Sequence, residues 1–194
     1  MTIQRFAAAL LCVLLAGCLP VTSKTPVGTT TGLGADPALF GTWKGHGPES
    51  NSTGDVYLHF VQDKNGPFVA VMVGAPQGVG GGWMAFDVRT SQLANNRYLN
   101  AVMTYSDNKP ADGTMKDASF PLRYTLKGRT LTLYMLDEDK IKAAIQSGKI
   151  AGTVEPGDFG DVKITADAKE LDAFFAAPES AQLFKVYMVL KRVE

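Results

Sequence analysis

Nine short apolar segments, strung on hairpin-length links and cut by turn residues, predict a mainly β chain closing as a single antiparallel barrel of about eight or nine strands. Two short segments with helical spacing interrupt the series. Regular patterning runs without a break over residues 37–194, a size typical of one domain that buries roughly two thirds of its unfolded surface. A β-sandwich is the alternative, because alternation reports one buried face and is silent about closure.

Residues 40–45 open the series. In residues 56–62, Val56, Leu58 and Phe60 alternate with Tyr57, His59 and Gln62, and Asp63-Lys64-Asn65-Gly66 then supplies a hairpin turn, since Asn-Gly adopts positive φ at little cost. Residues 68–73 form a strand apolar on both faces. Residues 83–89, 98–105 and 120–127 follow, the second with Leu99, Ala101, Met103 and Tyr105 on one face. Gly128-Arg129 turns the chain into residues 130–136, and residues 161–165 and 183–193 complete the set. The first helix is expected over 138–146, with Ile141, Ala144 and Ile145 on one face, acids in its first turn and Gly148 as its stop. The second, over 168–176, has Asp167 and Glu170 placed as a capping box, an apolar stripe of Leu171, Phe174 and Phe175, and Pro178 after it.

The N-terminus carries an address. Arg5 precedes about ten apolar or small residues, too few to span a bilayer, which needs roughly 20. Leu14-Leu15-Ala16-Gly17-Cys18 closes the run and resembles the lipobox of bacterial lipoprotein signals, such as those of small proteobacterial lipoproteins. The resemblance implies a signal peptide over 1–17, removed on maturation, and a Cys18 bearing a diacylglyceryl thioether and an acylated amine, a palmitate-type anchor. Two or three acyl chains hold a membrane essentially permanently at about 0.8 kcal/mol per buried methylene. Leu19 stands where an aspartate would favour inner-membrane retention, so the expected place is the periplasmic face of the outer membrane. Cys12 lies in the discarded signal, leaving no thiol for a disulfide. Residues 18–36, rich in Thr, Gly, Ser and Pro, are expected to be a flexible tether, allowing the domain at 37–194 to stand roughly 25 Å from the membrane.

Without Arg5 the chain has one base fewer than its 19 acids, and the charges are dispersed, which argues against a nucleic-acid partner. Gly41-Thr42-Trp43, on the first strand, resembles the Gly-x-Trp signature of lipocalins and related calycin barrels. The resemblance implies that Trp43 closes one barrel end beneath a basic residue from the last strand, Arg192 or Lys191. A barrel of about eight strands encloses space for packed side chains or one small ligand. Met72, Met84, Met103, Met135 and Met188 fall on predicted strands and suit an adaptable apolar pocket, although period-two methionines also serve as plain core. Tyr57, Tyr105, Tyr124 and Tyr134 are candidates for a pocket mouth.

Other chemistry finds little support in the residues. The glycine-rich stretch from Gly74 to Gly82 leads into a strand, whereas a phosphate loop needs a helix N-terminus behind it. His46 and His59 fall short of the three ligands of a catalytic zinc. If the first two strands pair near Asn51, His59 is expected beside Trp43 in a structural role. No Gly-x-Ser-x-Gly elbow and no mature Cys–His pair is present, and Asp137, Glu138 and Asp139 read as a dipole-compensating helix start. No cofactor motif appears. The expectation is a lipid-anchored envelope protein, without a visible catalytic motif, that binds a small hydrophobic molecule in its barrel. A protein-interaction or structural envelope lipoprotein, docking an envelope partner through a strand edge or the segment 148–160, is the alternative.

Overall fold

A computed structural model describes residues 21–46, 54–62, 66–74, 82–106, 109–111, 117–155 and 161–193. The signal, Cys18, the turn at Asn51, most of the Asp63–Gly66 turn and the glycine-rich stretch between Gly74 and Gly82 lie outside them. In chain order the strands are β1 (Thr22–Ser23), β2 (Gly41–His46), β3 (Asp55–Gln62), β4 (Phe68–Gly74), β5 (Trp83–Leu93) and β6 (Asn96–Ser106). They continue with β7 (Lys109–Pro110), β8 (Ser119–Lys127), β9 (Thr130–Leu136), β10 (Gly152–Val154), β11 (Val162–Ile164) and β12 (Phe184–Arg192). There are two α-helices, α1 (Glu138–Gln146) and α2 (Ala168–Ala176), and two 3-10 turns, at Pro37–Leu39 before β2 and at Pro178–Leu183 before β12.

Eight strands, β2-β3-β4-β5-β6-β8-β9-β12, close into an antiparallel barrel, so the barrel and not the sandwich is the architecture. Closure rests on two long-range pairings: Arg97 to Val102 of β6 against Ser119 to Tyr124 of β8, and Leu190 to Arg192 of β12 against Trp43 to Gly45 of β2. The ninth expected strand, β11, is outside the wall. It pairs with β10 and, in parallel, with β1, extending the sheet beyond β8.

Alternation sends two sets of side chains to two cores. Inside the barrel, Leu39, Trp43, Phe60, Leu99, Phe120, Leu131, Leu133 and Leu190 pack together and fill the lumen. Outside it, Tyr98, Leu136 and Phe184 meet Ile141 of α1, Leu171 and Phe175 of α2, and Val27 and Ile164. Tyr98 and Leu99 are adjacent in sequence and belong to different cores, which fixes the helices on the barrel wall. The Arg123 guanidinium fastens that layer, with its centre 4.2 Å from the Tyr134 ring centroid and 5.7 Å from that of Phe184.

Both helices have the expected bounds because their caps are local. The Asp137 carboxylate accepts from the Lys140 N–H and that of Asp167 from the Glu170 N–H. The capping box at α2 is half built: Glu170 Oε1 accepts from the Ala151 N–H at 3.0 Å, tying α2 to the segment before β10.

The expected tether is corrected over most of its length. Val21 is 4% exposed and Val27 is fully buried, and Thr22–Ser23 is a strand of the sheet. Residues 21–36 form a strap on the barrel wall. The Asn100 side chain clamps Val27, accepting from its N–H at 2.8 Å and donating to its carbonyl at 2.9 Å. Asp172 accepts from the Gly28 N–H at 2.6 Å and the Thr30 N–H at 2.8 Å, and Gly34 bridges to Thr90. A Thr/Gly/Ser/Pro composition buries little apolar area by itself. Here it is ordered by polar partners from distant strands and a helix, satisfying its backbone groups as burial requires.

Candidate functional site

The barrel has one end closed by packing. Trp43 is buried and donates from Nε1 to the Leu39 carbonyl at 2.7 Å. The Arg192 guanidinium lies over the indole, 4.3 Å from the ring centroid. It donates to the Phe40 carbonyl at 2.6 Å and to that of Ala38, so its planar fork binds the 3-10 turn while its face covers the ring. Gly41 has φ +113°, a conformation that side chains rarely adopt, and a Cβ there would stand 3.2 Å from Arg192 Nη1. Gly41, Trp43 and Arg192 thus form one unit in the arrangement that the Gly-x-Trp resemblance implies. Tyr124 completes the plug by donating to Asp36 at 2.8 Å; burial, then this carboxylate, hold its phenol well above the ordinary value.

At the other end, where β3 and β5 begin and β4 and β6 finish, a cavity of about 230 Å³ opens. Met72, Met84 and Met188 line it with Val56, Tyr187, Ser106, Gly74 and Gly82. Met72 and Met84 are register partners on neighbouring strands, so their side chains share the inner face as a cross-strand pair. Burial raises the Tyr187 phenol above its ordinary value, and no charged side chain is among these lining residues. Among the described residues, the mouth is therefore an uncharged, thioether-rich recess above a filled lumen.

Of the five methionines, the structure brings three to this recess. Met103, partner of Phe86, packs lower against the barrel core, and Met135, partner of Leu122 and Lys185, is half-buried and does not line the cavity. None of the four candidate tyrosines lines the cavity. Tyr57 and Tyr105 lie on the outer wall, Tyr134 lies under Arg123, and Tyr124 is in the plug. Tyr187 lines it instead. A register shift between Val186 and Met188 brings adjacent residues, Tyr187 and Met188, to one cavity.

Beside the mouth, the outer wall carries an apolar stripe. Tyr57, Val73 and Trp83 are successive register partners, and the Trp83 ring stacks on Tyr105 at 6.2 Å. Val61, paired with Val69, is 52% exposed and Tyr105 is 45% exposed. His59 also lies on this outer face, one register step from Trp43: its partner is Thr42, whose hydroxyl is 3.0 Å from Nδ1, while Leu58 pairs with Trp43. His46 is 3.8 Å from Asp55, and no metal-binding group of three His, Cys, Asp or Glu occurs among the described residues. Asp137 caps α1 and Glu138 pairs with Lys142 at 2.5 Å, a helix-start role for that acidic run.

Among the described residues, then, the chain is a small closed β-barrel with one plugged end, one shallow apolar mouth and a strap-and-helix layer on its wall. No protein-family model, curated protein or solved structure matches it.

Proposed function

We propose that this is a lipid-anchored protein of the cell envelope, held through Cys18 at the periplasmic face of the outer membrane, whose barrel mouth binds a slender apolar group. The convergence of Met72, Met84 and Met188 on one uncharged cavity carries the binding reading. A volume near 230 Å³ is below the roughly 300–1,000 Å³ of ordinary small-molecule sites, so the occupant is a short chain end or ring and not a whole lipid. Burying about five methylenes there is worth roughly 4 kcal/mol before the cost of association, so an isolated fragment is expected to bind no tighter than a Kd of about 1 mM. The Gly-x-Trp resemblance and the lipobox support the same picture.

Methionine methyl groups report on it directly. In a ¹³C-methyl-Met spectrum titrated with hexanol and octanol, the Met72, Met84 and Met188 signals are expected to shift together, while Met135, outside the cavity, stays still. Shifts confined to other methionines, or none near saturation, would sink the ligand reading. A second reading, a protein-interaction lipoprotein, is favoured by the exposed Val61, Val73 and Tyr105 on the outer face, since exposed apolar area of this kind marks partner surfaces.

A further inference from the structure

The strap changes what a lipid at Cys18 does to the domain. Val21, the first described residue, is buried, and its chain continues through the β1 pairings, the Asn100 clamp and Asp172. Three peptide steps separate Cys18 from Val21, at most about 11 Å between Cα atoms at 3.8 Å per step. A 19-residue flexible linker would instead allow about 25 Å. The chain arrives where β1 and β11 both begin, because Thr22 and Ser23 pair in parallel with Lys163 and Ile164, and where β10 finishes at Val154.

We infer that the domain is docked directly on the phospholipid headgroup layer, with this end of the β10-β11-β1 sheet turned towards it. The inference rests on the lipoprotein reading and adds a surface and a distance to it. Among the described residues this surface is polar, as contact with headgroups requires. Thr22, Lys163 and Thr153 form one cross-strand row, with Lys24 exposed one pleat further on. Among the described residues, Glu155 and Asp161 stand at the same end, joined by a backbone hydrogen bond of 3.0 Å. The acyl chains supply the hold; the short connection sets the height and orientation.

The test uses the full chain, lipidated in its own envelope and reconstituted in phosphatidylethanolamine/phosphatidylglycerol vesicles. E155C provides a single thiol for a fluorophore, because the other mature cysteine is the acylated Cys18. Intact mass comes first: a mature chain without acyl groups would overturn the lipoprotein reading and the docking with it. With lipidation established, a headgroup nitroxide lipid is expected to quench the label strongly. Quenching should fall about threefold or more when 20 Gly/Ser residues are inserted between Pro20 and Val21, which adds roughly 25 Å of reach. Equal, weak quenching with and without the insertion, in proteins of unchanged melting temperature, would show a domain already standing off and would overturn the inference alone.

Discussion

Trp43→Ala is expected to destabilise the domain by about 4 kcal/mol, within the range for removing a buried Phe or Trp, and to lower its melting temperature by roughly 8–16 °C. The size follows from what the indole joins. It fills the closed end of the lumen among Leu39, Leu58 and Leu190, donates to the Leu39 carbonyl, and supports the Arg192 guanidinium. Alanine leaves a cavity, an unpaired carbonyl and a cation without its ring. Trp83 provides the control, because it is half-buried with its ring stacked on Tyr105 at the outer wall, outside the core, and W83A is expected to cost about 1 kcal/mol. Arg192→Lys retains charge but loses the fork that reaches two carbonyls, and an intermediate loss of about 1–2 kcal/mol is expected. Thermal melts of the three variants, followed by circular dichroism, should rank W43A well below R192K and W83A. Equal stability of W43A and W83A would remove the plug from the account of the fold.

The sequence makes some of this readable and conceals the rest for identifiable reasons. Strand existence is legible wherever alternation is regular, as in residues 56–62 and 130–136, because a one-sided wall enforces a period of two. Helix ends are legible because Asp137 and Asp167 cap within three residues of themselves. Closure is not, since the β6–β8 and β12–β2 pairings join residues far apart and alternation is the same in a barrel and a sandwich. Period two also assigns a face without a height. It places the methionines on strands but does not separate Met72, Met84 and Met188 at the mouth from Met103 below it. Tyr187 escapes for a different reason: the irregularity beside it breaks the period. The strap is the largest gap, and its cause is again distance. Composition reports what a segment can bury by itself, whereas residues 21–36 are held by Ser91, Asn100 and Asp172. One trace was present in the sequence: an aspartate beside Leu171 and three residues before Phe175 sits at the edge of an apolar stripe, where a carboxylate needs partners.

That aspartate gives the second large effect. Asp172 is 4% exposed and accepts three hydrogen bonds from the strap: the Gly28 N–H, the Thr30 N–H and the Thr30 hydroxyl. Hydrogen bonds to a charged acceptor contribute about 1.5–3 kcal/mol each, and they are not additive within one cluster, so Asp172→Ala is expected to cost about 3 kcal/mol. The loss should be local first. Gly28 and Thr30 amides should exchange faster, and a protease should cut within residues 24–31, before the barrel strands lose protection. Asp172→Asn keeps the shape but turns an amide NH2 towards donors, so it is expected to recover less than half of the loss. If both variants melt like the parent and protect Gly28 equally, the strap is held by Val27 and Asn100 alone. If the strap is released, its consequence at the membrane follows from chain length. Freed from Cys18 as far as Gly34, the connection grows from three residues to about sixteen, and its mean reach rises to roughly 20–25 Å. In lipidated protein, D172A is expected to weaken headgroup quenching at E155C only where the loss spreads past Gly28 to the Asn100 clamp and the β1 pairings; while those hold, the connection from Cys18 keeps its three residues and quenching stays as in the parent.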